Sequence, residues 1–152
     1  MHIVLVEPEI PHNTGNIART CAVTGTSLHL VKPLGFSTDD KHLKRAGLDY
    51  WDKLNLYYYD NVSQFFKIHR DKKLWYIETG GQHYYHEVSY NTDDFLVFGK
   101  ETAGLDKKIL ESNRDHWIKI PMMPNFRSLN LSNAVALVLY EALRQQGFKN
   151  MF

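Results

Sequence analysis

Residues 120–147 read IPMMPNFRSLNLSNAVALVLYEALRQQG, and this stretch decides the fold. Pro121 and Pro124 hold its first part out of helical conformation, because proline fixes φ and lacks an N–H. The run that follows is built of good helix formers and extends about four turns to Gly147, a natural left-handed stop. Its apolar positions, Leu131, Ala134, Val135, Leu137, Val138, Leu139, Ala142 and Leu143, are too many for one stripe. Such a helix is either deeply buried or packs a second face against a partner subunit. Ser128, Asn130, Ser132 and Asn133 crowd its entry, more short polar side chains than a cap requires, and these could hold a neighbouring loop or a ligand.

Upstream, apolar runs bounded by turn residues predict strands at 2–6, 27–31, 54–59, 73–78, 94–98 and 116–120. Helical patterns lie between several of them. One spans 14–24 after an Asn13 or Thr14 cap and ends at Gly25; another spans 61–68 after Asp60 and Asn61. Strands alternating with helices predict an α/β class with a mostly parallel sheet flanked by helices. At 152 residues and 43% hydrophobic, the chain fits one domain over 1–152, with no linker, repeat or low-complexity run.

Eighteen Lys and Arg against seventeen Asp and Glu give a net charge of +1, so any polyanion must be held by local clusters. Lys41, Lys44 and Arg45, followed by Tyr50 and Trp51, form the best such cluster in the sequence, or else an ordinary solvated helix face. The start, HIVLVEPEIP, is neither a signal h-region nor a membrane span, which predicts a cytoplasmic protein without membrane contact. Cys21 reads as a small buried hydrophobe. The histidines at 2, 12, 29, 42, 69, 83, 86 and 116 show no metal-ligand spacing; His83 and His86 read as surface residues, and no metal is expected.

Three segments follow apolar strands, where open parallel sheets place ligand loops. In PHNTGNIART, Arg19 lies one turn from a loop that Gly15 lets turn tightly. In FGKETAGL, two glycines allow backbone to approach a ligand and Glu101 offers an acceptor. The third is the Pro/Ser/Asn entry described above. Taken singly, each reads equally well as a capped helix with a solvated Arg19 or an exposed Glu101.

Together, in order and spacing, NTGNIAR, FGKETAGL and IPM followed by SLNLSNAVALVLYEA resemble the three motifs of the SPOUT superfamily of RNA 2′-O-methyltransferases. EPEIPHNTGNIAR and RAGLDYW resemble more narrowly the enzymes that methylate the wobble ribose of leucine tRNAs. The resemblance spans nearly the whole chain. It implies a C-terminal trefoil knot, a homodimer with the last helix in the interface, S-adenosylmethionine as methyl donor and the anticodon stem-loop of tRNA as partner. By position it places cofactor contacts at Ile77, Gly99, Ile120 and Ser128, with Leu129 adjacent. It places the catalytic group at Arg19, accompanied by Glu101. A guanidinium has no free acceptor while protonated, so Arg19 is expected to orient substrate and stabilise an alkoxide, and Glu101 to order Arg19 or the knot loops. The sequence departs from the pattern at Asp106, where the family usually carries proline, and a looser turn is expected there. A phosphate-loop nucleotide binder is the first rival, but G-x-G-x-x-G and the Walker lysine are lacking. A non-catalytic RNA-binding or assembly protein of the same fold is the second.

Overall fold

The structure is a computed structural model that describes residues 1–39, 41, 50–51 and 53–152. Lys44 and Arg45 of the basic cluster lie outside the described residues, and Lys41 is exposed.

Six strands form where the apolar runs predict them: β1 (His2–Val6), β2 (Ser27–Val31), β3 (Leu56–Tyr59), β4 (Leu74–Ile77), β6 (Phe95–Phe98) and β7 (Trp117–Lys119). A seventh, β5 (His83–Tyr84), is a two-residue edge strand of exposed residues, so no hydrophobic pattern announced it. The sheet order is β3-β2-β1-β6-β4-β7-β5 with every described pair parallel. The central strands β4 and β6 are buried at all four positions, as a sheet covered on both faces requires.

Period-2 alternation sends side chains into two cores. Ile3, Leu5, Leu96 and Phe98 meet Ile17 and Cys21 of α1 (Pro11–Thr24) and Val135, Val138 and Leu139 of α4 (Leu131–Gln145). Val4, Val6, Tyr76 and Val97 on the other face meet Phe65 of α2 (Val62–Ile68) and Leu110 of α3 (Lys107–Glu111). Cys21 is fully buried, and that burial pushes its thiol pKa up, out of the reactive range. Among the described residues no helix is long and apolar enough to cross a membrane.

The start of α1 differs from expectation. The N-cap is Ile10 with no side-chain cap bond, and Pro11 occupies the first turn, where a missing N–H costs nothing. Asn13 and Thr14 are therefore inside the helix and buried. Asn61 does cap α2, accepting from the Gln64 N–H at 2.8 Å. Asn61→Ala should lower stability by about 1 kcal/mol, read as a shifted urea midpoint at unchanged slope.

Asp106 also corrects the expectation attached to it. Its φ of −58° is one proline would share, and its carboxylate accepts the Lys108 N–H at 2.7 Å to cap α3. The turn is capped, not loosened.

On α4 one face is deeply buried, as the first sequence reading expects, and another is left exposed. Val135, Val138, Leu139 and Ala142 are fully buried against the sheet, whereas Leu137 and Tyr140 stay 43% and 42% exposed on the outer side.

Candidate functional site

A cleft of about 520 Å³ opens at the carboxyl ends of β4, β6 and β7. That volume lies within the range of small-molecule sites, and the position is where parallel sheets bind ligands. Ile77, Phe98, Gly99 and Ile120 contribute strand ends, the loop from Lys100 to Gly104 forms one wall, and residues 127–131 the other. The structure thus brings Ile77, Gly99, Ile120, Ser128 and Leu129 into a single cavity. They are separated by up to 52 positions in the chain, from Ile77 to Leu129, and meet because β4, β6 and β7 end side by side.

The wall after β6 is made by backbone packed against backbone. A Cβ on Gly99 would lie 2.1 Å from the Gly104 carbonyl carbon and 2.3 Å from the Leu105 nitrogen. Gly104 has φ +66°, and a Cβ there would meet Glu78 Oε2 at 1.9 Å. Neither position accepts a side chain, so main-chain N–H and C=O groups line the cavity at close range.

Carboxylates and side-chain amides tie the three motif loops together. Glu101 accepts from the backbone N–H of Glu9 at 2.8 Å, from that of Ile10 at 3.1 Å and from the Asn13 side-chain amide at 3.1 Å. Glu9 returns the clamp by accepting from the Thr102 N–H and hydroxyl, and the hydroxyl bond first holds its carboxyl below the ordinary glutamate range. Asn130 donates to Asn13 Oδ1 at 3.0 Å while its own Oδ1 caps α4 through the Ser132 N–H at 2.9 Å. A chain of bonds therefore runs Glu101–Asn13–Asn130–Ser132 across the entry of both long helices. Glu78 adds a bond from the Leu105 N–H at 3.3 Å, and Lys100 pairs with Glu7. Charge-assisted bonds from these carboxylates to N–H groups hold the wall's loops against one another.

Glu101, with three donors on its two oxygens, contacts the loop after β1 and the start of α1. Arg19 is exposed on α1, does not line the cleft of its own chain, and stacks its guanidinium over the Tyr50 ring at 5.1 Å. His83 and His86 are exposed. Among the described residues no group of three His, Cys, Asp or Glu side chains is placed to hold a metal ion.

The model of the SpoU rRNA Methylase family matches residues 1–140, which include every residue that lines this cleft. The chain belongs to the SpoU methylase family. A curated relative, the tRNA (cytidine(34)-2'-O)-methyltransferase of Saccharophagus degradans, is 53% identical over 97% of this chain and 96% of its own length. A solved structure concerned with the 2-OH methylation of C/U34 on tRNA is 42% identical and superposes with a TM-score of 0.91, covering 96% of this SpoU methylase and 95% of that chain. The SpoU methyltransferase of Streptomyces viridochromogenes, in complex with the cofactor AdoMet, shares the fold at a TM-score of 0.84, with 23% identity over 96% of this chain and 60% of that one.

Sequence reasoning about this SpoU methylase missed Glu9, Glu78 and Thr102. No pattern marks an acidic residue whose partner is a backbone N–H ninety positions away. Asn13, with Thr14 as the alternative, is the expected cap because such a residue before an apolar period usually is one. Its second neighbour, Pro11, was the available signal for a helix that begins earlier.

Proposed function

We propose that this methyltransferase transfers the methyl group of S-adenosylmethionine to the ribose 2′-hydroxyl of the wobble pyrimidine, cytidine or modified uridine, of leucine tRNAs. The observation that carries the reading is the convergence of Ile77, Gly99, Ile120 and Ser128 on one cleft walled by main chain. Methyl transfer from S-adenosylmethionine to bulk tRNA from cells lacking the activity, followed by nucleoside analysis, tests it. A 2′-O-methylated pyrimidine at the wobble position is the expected product. Absence of any methylated ribose, with cofactor bound, would overturn the substrate assignment.

The cavity fits the cofactor. Its volume suits a nucleoside-sized ligand, and the close backbone packing of Gly99 on Gly104 and Leu105 leaves main-chain groups in the lining. Ile77, Gly99, Ile120 and Ser128, with Leu129 adjacent, would hold the cofactor. When bound, the cofactor supplies an electrophilic methyl on a sulfonium. The chain's part is alignment, because an in-line displacement gains most from fixing both partners at attack distance.

Arg19 would orient the RNA phosphate or ribose and stabilise negative charge on the 2′-oxygen, while proton loss goes to water or a neighbouring group. Arg19→Ala should lower kcat by at least a hundredfold, and Arg19→Lys should not restore it if the planar fork is what matters. Near-full activity of the lysine variant would argue against a geometric role. Glu101 is a positioning residue in this account, since its acceptors are already committed to Glu9, Ile10 and Asn13.

Because Arg19 lies outside the cleft of its own chain, the RNA must bridge from α1 to the cleft or a second chain must bring the arginine there. A homodimer through the outer sides of α1 and α4 accounts for Val23 at 54% exposure together with Leu137 and Tyr140. Sedimentation analysis should give a dimer, and Leu137→Glu with Tyr140→Glu a monomer. Threading of the C-terminal segment as a trefoil knot, contact with the anticodon stem-loop and a cytoplasmic location complete the reading.

A further inference from the structure

A second cleft, of about 440 Å³, lies on the other face of the sheet from α1 and α4, between α2 and α3 and beside the start of β4. Its lining contains Arg70, Lys72 and Lys108 but no carboxylate. His116 and Asn113 add hydrogen-bonding groups, and Phe66 and the buried Tyr76 contribute an aromatic floor. His69 also reaches the cleft, but its Nε2 is bonded to the Tyr59 hydroxyl at 2.8 Å, and burial lowers its pKa, so it adds no charge near neutrality.

This concentration of charge is unusual in a chain whose net charge is only +1. A polyanion gains nothing from the global field and must be held where cations gather unopposed. In the first cleft Lys100 is already paired with Glu7, and Arg127 shares the lining with the carboxylates Glu78 and Glu101. Around the second, Asp106, Glu111 and Asp115 lie on or beside α3 outside the lining, and Asp71 meets Arg70 at 3.4 Å with both side chains more than three-quarters exposed. Such a pair is screened and weak, and Arg70 can exchange it for a phosphate at little cost. Lys72 and Lys108 are exposed and approach from different elements.

We propose that this cleft is a phosphodiester-binding site that holds the backbone of the RNA substrate away from the reacting nucleotide. The inference rests on the reading of the protein as an RNA methyltransferase. The guanidinium and two ammonium groups would each neutralise one phosphate, and an unstacked base could lie on Phe66. The contact is sequence-independent and adds affinity without touching the chemistry.

The test is direct binding of unmodified tRNA to the wild-type protein and to Arg70→Gln/Lys72→Gln/Lys108→Gln at 50 and 200 mM salt, with cofactor affinity and methyl-transfer kinetics measured beside it. All three side chains are on the surface, and Lys72→Gln/Lys108→Gln serves as a milder variant should the triple one fold poorly. The expected result is at least tenfold weaker tRNA binding at 50 mM salt and a salt slope shallower by roughly 2 to 3. KM for tRNA should rise with kcat and cofactor affinity unchanged. Equal affinity and equal slope in variant and wild type would overturn the proposal, as would a fall in kcat alone. Failure of the functional reading would look different: wild-type protein that binds tRNA and cofactor yet transfers no methyl group.

Discussion

Gly99→Ala is expected to abolish cofactor binding, raising the dissociation constant for S-adenosylmethionine by at least a hundredfold, which corresponds to about 2.7 kcal/mol. The atoms a Cβ would strike, 2.1 to 2.4 Å away, are the carbonyl carbon and oxygen of Gly104 and the nitrogen of Leu105. No rotamer change relieves a clash with main chain, so the whole turn from Gly99 to Leu105 must shift. That turn is closed by the bond from the Gly104 N–H to the Lys100 carbonyl at 2.9 Å and carries Glu101, the hub of the loop clamp. The fold should survive, because β6 is anchored by two parallel neighbours, β1 and β4, with an overpacking cost of roughly 1–3 kcal/mol. Calorimetric titration and a thermal melt separate the two effects. Unchanged cofactor affinity would remove this turn from the binding site and with it the main support for the proposed function.

The second large effect is acid destabilisation. His29 is buried, with its Nε2 2.9 Å from His2 Nδ1 and its Nδ1 2.8 Å from the Tyr59 hydroxyl, which in turn meets His69. Burial depresses the His29 pKa to about 3 and that of His2 to about 4, the proximity of the other cations adding to both. In the unfolded chain both imidazoles protonate near 6.5. Between that value and the folded ones the unfolded state binds more protons, so stability is fully present above about pH 6.5 and is lost as pH falls. His29 alone should remove about 2 kcal/mol between pH 7 and pH 5, a fall of roughly 4–8 °C in Tm; partly buried His2 adds less because solvent screens it. His29→Gln should be less stable at pH 7 and show a shallower decline toward pH 5. An equally steep decline in that variant would assign the acid sensitivity elsewhere.

This histidine chain shows where sequence reading stops. Positions 2, 29 and 69 carry no ligand-like spacing, and an isolated histidine in a strand reads as ordinary. Parallel pairing of β1 with β2 sets Val4 opposite His29 and brings His2 close enough for the ring–ring bond, and β3 beside β2 supplies Tyr59. Those registers are tertiary facts. Likewise β5 is too short and too polar to have a hydrophobic signature, and Glu9 and Thr102 meet only because β1 and β6 are neighbours in the sheet.

What the sequence determined by itself was local and periodic. Alternating apolar runs placed six strands, the apolar surface of residues 131–145 placed α4, and φ-permissive Gly25 and Gly147 marked where α1 and α4 stop, with observed φ of +66° and +67°. These follow from interactions within a few residues, where burial and backbone sterics act on each segment almost independently. The tertiary structure decided which strand ends lie side by side, which face of α4 stays exposed, and which carboxylates meet which N–H groups. Those contacts join residues far apart in the chain, and a hydrogen bond of a fixed length is set by the packing of everything between its partners, which no local pattern encodes.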